Sequence, residues 1–362
     1  MRIFGFLGII LFLYCCNVKP NPVSKKDEVI ATSTPQFAKG FQIDSIRGGL
    51  KIILFDLEKS GDTLDIIEVK REFANTSCMS TTHLAFFEAL GIIDKVKAVG
   101  HANLIANLKL SSRFINGDLL NLTKGDEIDS EVLVATQSEI LFTYPFGDVG
   151  ISKSATDRIR TLPISEYLEE HPLGRAEWIK VFGALYNCSA KADSIFNQIS
   201  QDYFSVCERA KAITQSSSKP TILTASMQGD RWFLPPGNSF MGQLLIDAGA
   251  EYLLADSIAQ GNLSFTEEAF FSLLSKTEFY TEVTFDPNLT NRAGLLKARP
   301  MFKVVACFAE NKIFMCNTLE CDYFGTALLE PHILLEDILM ALHPDLAADY
   351  QASYFIPILL IK

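Results

Sequence analysis

The stretch PLGRAEWIKVFGALYNCSAKADSIFNQISQDYFSVCERAKAIT, Pro172 to Thr214, is where a chain of short strands and loops gives way to two successive helices. In its second half, apolar residues fall at Ala192, Ile195, Phe196, Ile199, Tyr203, Val206, Cys207, Ala210 and Ile213. That three-and-four spacing describes one helix with one apolar stripe. Asn187 suits the left-handed residue that ends a helix and Ser189 suits a cap, so a first helix around Trp178, Val181, Phe182 and Leu185 stops just before the second begins. Residues 190–213, rising ~1.5 Å each, span roughly 36 Å, the width of a small domain. An ordinary core helix has the same pattern. Position sharpens the reading: an uninterrupted helix with an α/β-patterned segment on either side suggests a stiff strut joining two lobes.

The chain opens with an apolar run, Ile3 to Tyr14, behind Arg2, and then meets Cys15, Cys16 and Asn17. The run is too short to span a membrane as a mature helix and fits the h-region of a secretory signal. A cysteine in this place looks like a bacterial lipoprotein processing site, with cleavage before Cys16 leaving a lipid on its sulfur. Cys15 is the alternative, because Tyr14 and Cys15 are bulkier than the residues usual before such a cut; a plain cleaved signal is another. Lys19 to Lys39, rich in Pro, Ser, Thr and Lys, cannot bury a core and is expected to be a tether. The expected organisation is a signal over 1–16, a tether over 17–39, an N-terminal lobe over 40–171, a helical segment over 172–214 and a C-terminal lobe over 215–362.

With 362 residues, 48% of them hydrophobic, the chain has material for two ordinary domains. Its formal charge of -11, from 43 acidic and 32 basic residues, argues against a nucleic-acid partner. Beyond the leader, cysteines stand at 78, 188, 207, 307, 316 and 321, with no C-x-x-C pair. Cys188 and Cys207, about five helical turns apart, cannot bridge within one helix. The disulfide state of Cys307, Cys316 and Cys321 stays open.

In chain order, Phe41 to Ile46, Lys51 to Leu57 and Thr63 to Val69 alternate between Gly-containing turns and predict a small antiparallel addition at the front of the first lobe. A helix over His83 to Leu90 and a strand over Val96 to Val99 follow, then a helix over Glu131 to Ala135 leading into a strand over Ile140 to Tyr144. Past the strut come a strand over Pro220 to Ser226, a Trp-bearing loop at Asp230–Trp232, and helices over Ser239 to Ala248 and Glu267 to Leu274. A strand over Tyr280 to Phe285, a hairpin-like pair at Val304 to Phe308 and Ile313 to Cys316, and a helix over Leu328 to Leu342 complete the pattern. Each lobe is thus a short α/β unit of parallel type.

Several motifs in this order resemble the substrate-binding lipoproteins of bacterial ABC importers for iron chelates, haem and cobalamin, in the form common among Bacteroidetes. They are Ser80-Thr81-Thr82-His83 with Glu88-Ala89-Leu90-Gly91; His171-Pro172-Leu173-Gly174-Arg175-Ala176-Glu177-Trp178; Asp230-Arg231-Trp232 with Pro236-Gly237-Asn238-Ser239 and Asp247-Ala248-Gly249-Ala250; Asp322-Tyr323-Phe324; and Glu336-Asp337 with His343-Pro344. The resemblance covers about residues 73 to 355. The Lys-Pro-Asp usual before the second strand is Gln137-Ser138-Glu139 here, and an Ala-Asp usual near residue 280 is missing. The resemblance implies two Rossmann-like lobes joined by a rigid backbone helix, the helical-backbone class of periplasmic binding proteins. It further implies a monomer, lipid-anchored in the periplasm, that holds a metal chelate between its lobes and delivers it to an inner-membrane permease. Permease docking would fall to Glu131 and Glu268, with Glu267 as the alternative to the latter.

An interlobe cleft needs aromatic area and a few orienting polar groups. Strand ends and loops offer Thr81, Thr82 and His83; Tyr144 and Phe146; Arg231 and Trp232; and Asp322, Tyr323 and Phe324. Each also has a plain structural role open to it: His83 can cap or pack, and Trp232, Tyr323 and Phe324 can be core. No cofactor and no protein-held metal is expected, though a bare-ion site using His83 and His101 is an alternative among the five histidines. An exported α/β hydrolase is a further alternative. The chain has no G-x-S-x-G elbow, phosphate-binding loop or H-E-x-x-H motif, while a carboxylate pair for glycoside hydrolysis needs only geometry.

Overall fold

Apolar residues at every second position build the front of the molecule. β1 (Val29–Ser33), β2 (Phe41–Ile46), β3 (Gly49–Phe55) and β4 (Thr63–Val69) form an antiparallel meander in that order. Its register sets Ile43 opposite Ile52 and Ile52 opposite Ile67, and Phe41, Ile52, Leu54, Ile67 and Val69 point into the core. The computed structural model describes residues 29–59, 61–125, 127–145, 159–215 and 218–358. The leader, Cys15, Cys16 and Phe146 lie outside the described residues.

Residues 29–39, which composition assigns to the tether, are built into the fold instead. β1 pairs with β2, and the amides of Gln36, Phe37 and Ala38 donate to the buried Glu177 carboxylate at 2.7–3.0 Å. Composition averages over the segment; the strand pairing and backbone amides hold it together with Phe37, whose ring packs against His171, Phe196 and Phe204, and with buried Ala38.

The first lobe carries a parallel sheet of order β11-β10-β5-β6-β7. Its parts are β5 (Thr76–Cys78), α1 (His83–Ala89), β6 (Val96–Val99), α2 (Leu108–Ile115), β7 (Leu120–Asn121), the hairpin β8 (Thr123–Lys124) and β9 (Glu127–Ile128), α3 (Ser130–Ala135), β10 (Ile140–Thr143) and β11 (Arg160–Pro163). Then come α4 (Pro172–Glu177), α5 (Ile179–Leu185) and α6 (Ser189–Gln215). Asn187 has φ 53°, and Cys188 N donates to Gly183 O at 2.8 Å, the six-to-one bond of a Schellman ending.

α6 is the strut, 27 residues long, or ~40 Å at 1.5 Å per residue. It buries Ala192, Phe196, Ile199, Tyr203, Val206, Cys207 and Ala210. Near its start, Lys191 Nζ donates to Leu90 O of the first lobe at 2.8 Å. Farther along, Tyr203 Oη donates to Asp247 at 2.7 Å and Arg209 forks onto Glu336 at 2.7 and 2.8 Å, both acceptors belonging to the second lobe. One helix therefore grips both lobes.

The second lobe repeats the plan with sheet order β15-β12-β17-β18-β19, parallel except for its last pair. It comprises β12 (Thr221–Thr224), β13 (Ser226–Gln228), β14 (Arg231–Leu234), α7 (Phe240–Asp247), β15 (Glu251–Tyr252), β16 (Leu263–Phe265), α8 (Glu267–Leu274), β17 (Phe279–Thr284), α9 (Arg292–Ala298), α10 (Ala306–Ala309), β18 (Ile313–Asn317), α11 (Pro331–Leu342) and β19 (Ile356–Pro357). Ser239 caps α7, and Gly249, at φ 82°, takes the left-handed turn past its end.

Two expectations fail here. The Trp-bearing loop is β14, the middle strand of a separate sheet β13-β14-β16. The strand expected at Val304 to Phe308 is helical, a 3-10 turn over Pro300–Val304 running into α10, because Pro300 opens a helical turn and the neighbour of β18 is β17.

Candidate functional site

In both parallel sheets the chain leaves the carboxyl ends of the strands toward the gap between the lobes, the usual place for a ligand in open α/β sheets. From the first lobe come Ser80 to Thr82 after β5, Tyr144 after β10 and Glu166–Tyr167 after β11. From the second come Ala225 after β12, Val283 in β17 and the turn Asp322–Phe324 after β18.

Two hollows meet at Tyr323 and Phe324. One lies between α1 and this turn, lined by Thr81, Glu88, Leu104, Asp322, Tyr323 and Phe324. The other, open to solvent, has a volume of about 300 Å³ and is lined by Arg175, Phe233, Pro235, Phe240, Met241, Asn262, Tyr323 and Phe324, among others. The two rings of the turn meet edge to face at 5.3 Å, with Phe324 59% exposed. Asp322 holds this turn: its carboxylate accepts from Thr326 N at 2.9 Å and Thr326 Oγ1 at 2.7 Å. Thr81, Asp322, Tyr323 and Phe324 are thus brought together.

Arg175, in α4, is the site residue that sequence reasoning missed. Its guanidinium lies 3.9 Å from the centre of the Phe240 ring, and its Nε donates to Glu169 O at 3.2 Å. Among the described residues it makes no ion pair. Burial draws its pKa down, while Tyr323, Glu166 and Glu169 oppose the shift. It stood inside a quoted motif, but a lone arginine in a helix carries no signal that it faces a gap.

The remaining candidates are placed differently. His83 is fully buried between Phe142 and Phe182, with ring centroids 5.9 and 6.0 Å away. Its Nε2 is 3.7 Å from Glu166 Oε2, an ion-pair distance beyond hydrogen-bond reach. Thr82 Oγ1 donates to Glu166 Oε1 at 2.8 Å, so this side chain serves the lobe interior. Burial pushes the Glu166 carboxyl up, but His83 and the Thr82 hydrogen bond outweigh it and hold the group below the usual carboxylate range. Tyr144 is half-buried, its hydroxyl donating to Met79 O at 3.4 Å and its ring 6.5 Å from that of Tyr167. Burial first, and then nearby Glu166 and Glu58, push the Tyr167 hydroxyl up.

Trp232 is withdrawn from the gap. It is 2% exposed and stacked on Phe270 at 3.8 Å and 8° between planes. Arg231 binds across the small sheet to Ser264 Oγ at 3.1 Å and lies outside the lining of the Arg175 hollow. Alternation along β14 explains Trp232, since Phe233, one residue on, points the other way and lines that hollow, while Arg231 shares the face of Phe233 but sits at the strand start beside the β13–β14 turn. Among the described residues, no group of three His, Cys, Asp or Glu side chains could hold a metal ion. No helix among them is long and apolar enough to cross a membrane.

No family model matches the chain. It is similar to an uncharacterised lipoprotein of Methanocaldococcus jannaschii, 22% identical over 311 residues, 83% of this chain and 72% of that one. Among solved structures it resembles a periplasmic heme-binding protein from Pseudomonas aeruginosa, with TM-score 0.60 and 16% identity over 80% of this chain and 99% of that chain. It also resembles a petrobactin-binding protein from Bacillus subtilis, with TM-score 0.58 and 12% identity over 81% and 99% of the two chains. At such identities the likeness concerns architecture: two α/β lobes bridged by the helix α6, the fold of periplasmic binding proteins of the siderophore and haem type.

Proposed function

We propose that this protein is a lipid-anchored binding protein of the cell envelope that captures a metal chelate in the interlobe cleft and delivers it to an ABC permease. It has no cofactor of its own and no enzymatic step. The chelate is one with an anionic edge and a large apolar face, a description that fits haem, a ferric siderophore or a corrin. One observation carries this reading: Arg175, without a carboxylate partner among the described residues, stands in the wall of a hollow lined by Phe233, Phe240, Met241, Tyr323 and Phe324. A guanidinium in such a place matches a ligand carboxylate, catecholate or phosphate, and the aromatics supply area. The names of the similar proteins support an envelope lipoprotein and a haem or siderophore cargo. Cys16 is the anchor in this reading, with Cys15 as the alternative.

Titration with hemin, ferric catecholate and hydroxamate siderophores, and cobalamin, followed by tryptophan quenching and calorimetry, tests it. Arg175→Met keeps the apolar stem and removes the charge. A charge-assisted hydrogen bond of ~1.5–3 kcal/mol implies a tenfold or greater loss of affinity for the bound chelate. Arg231→Met leaves affinity unchanged. Binding of none of these ligands, or equal affinity in Arg175→Met, overturns the reading.

A further inference from the structure

The strand β18 ends at Asn317 and the chain turns back at once. Glu320 N donates to Asn317 O at 2.9 Å, and Leu319 N donates to Asn317 Oδ1 at 3.1 Å. This turn returns Cys321 to the strand end, where its Sγ lies 3.7 Å from Cys316 Sγ and 3.3 Å from Asn317 O. Cys316 is fully buried, on a strand whose five residues are all buried. Cys321 is half-buried and lines the hollows on both sides of the turn. No other pair of described cysteines makes a sulfur contact. The next three residues are Asp322, Tyr323 and Phe324, the part of the second lobe that enters the cleft.

We propose that Cys316 and Cys321 are a redox pair whose disulfide fastens the base of the cleft turn to the rigid strand β18. The bond needs the two sulfurs to approach from contact to ~2.05 Å, a movement the short turn can supply through side-chain rotation. Chemistry assigns the roles. Cys321 is the reachable sulfur, and its contact with Cys316 holds its thiol below the usual cysteine range against the opposing effect of burial. The same contact, with burial, pushes the Cys316 thiol up.

The oxidant is a disulfide of a small thiol or of an exchange protein, taken here as oxidised glutathione. The Cys321 thiolate attacks one of its sulfurs, forming a mixed disulfide and expelling one glutathione thiolate. Cys316 gives up its proton and attacks the Cys321 sulfur, closing the protein disulfide and expelling the second glutathione thiolate. The protons of the two protein thiols end on the two glutathione thiols, and the glutathione disulfide has taken up two electrons. Buried Cys316 needs no access to solvent for the second step. Closure leaves Tyr323 and Phe324 on a turn pinned at both ends, since Asp322 already holds Thr326. The inference is independent of what the cleft binds.

Both cysteines fall on one tryptic peptide, residues 313–362, which contains no other cysteine. The full chain is equilibrated with oxidised glutathione, denatured, alkylated with N-ethylmaleimide, digested and weighed. The expected product is that peptide lighter by two hydrogen atoms and without an alkyl group; after dithiothreitol it carries two. Hydrogen exchange over residues 318–326 is expected to be several-fold slower in the oxidised protein. In Cys321→Ser, native Cys316 takes up no glutathione. Two alkyl groups after oxidation, or glutathione remaining on Cys321 beside a free Cys316, overturns the proposal. Equal exchange in the two forms overturns the pinning of the turn.

Discussion

The indole N–H of Trp178 donates to Glu169 Oε1 at 3.0 Å, and the same oxygen accepts the amides of Lys39 and Gly40 at 3.0 and 2.8 Å. The entry to the helical segment thereby holds the residues that lead into β2 of the front sheet. A Cβ at residue 40 would meet Trp178 at 2.6 Å, so the contact requires glycine there. Burial raises the Glu169 carboxyl above its ordinary value of 4.5, although the hydrogen bonds from Lys39, Trp178 and Gly40 oppose it. A raised folded-state pKa contributes stability that is full below the ordinary value and lost as pH rises through the folded one. Glu169→Gln keeps an acceptor at the Oε1 position and does not titrate. Its melting temperature relative to the native protein should therefore climb between about pH 4 and pH 7. A flat or falling difference in calorimetry refutes this.

Trp232 is a packing residue, held between Phe270 and the Arg299 guanidinium 4.9 Å from its ring. Trp232→Ala should cost ~3–5 kcal/mol in urea unfolding. Trp232→Phe should cost less and leave the affinity of the folded protein for its chelate unchanged. A stable Trp232→Phe protein with tenfold weaker binding would restore Trp232 to the site.

What was legible in the sequence followed local periodicity. β2 and β4 have the expected bounds because short apolar-rich segments met Gly turns, and α6 was visible because its stripe runs unbroken from Ala192 to Ala210. What was hidden depended on partners distant in the chain. β14 is four residues long, and of its two partners one, β13, is a three-residue strand joined to it by the tight turn Gly229–Asp230, while the other, β16, begins some thirty residues on at Leu263. β1 is exposed along its whole length and carries no burial pattern to detect. At the candidate cleft, the strand-end rule picked out the Asp322–Phe324 turn, which lines the hollow beside α1. It misjudged Trp232 because only one face of β14 meets the hollow, and a periodicity of two cannot say which.

The strut makes a mechanical prediction. Gln198 sits inside α6, its side chain donating to Asp202 four residues on at 2.9 Å. Gln198→Pro removes a backbone donor and should cost ~3 kcal/mol or more, loosening both lobes in one unfolding transition. Unfolding of one lobe alone, resolved by hydrogen exchange, contradicts a single helix that couples them. With the native strut, ligand should produce only small-angle rocking, visible as little compaction in solution scattering.

Docking to a permease is the remaining prediction, and two carboxylates test it. Glu131 and Glu268 are exposed in the first turns of α3 and α8, one helix on each lobe. Neither is needed as a cap. Asp129 accepts from Glu131 N at 2.9 Å and Val132 N at 3.3 Å, and Thr266 Oγ1 accepts from Ala269 N at 3.3 Å. Neither makes an ion pair among the described residues. Two carboxylates kept at a fixed separation by α6 suit arginines on a two-fold permease, where such pairs set register and encounter rate more than affinity. If their role is only to complement the helix dipoles, replacing each with alanine costs ~0.3–1 kcal/mol of stability and transport continues. If they dock, the double variant Glu131→Ala with Glu268→Ala binds its chelate as before, while permease binding and uptake are lost. Uptake at the native rate by a permease-reconstituted vesicle supplied with the double variant would exclude the docking role.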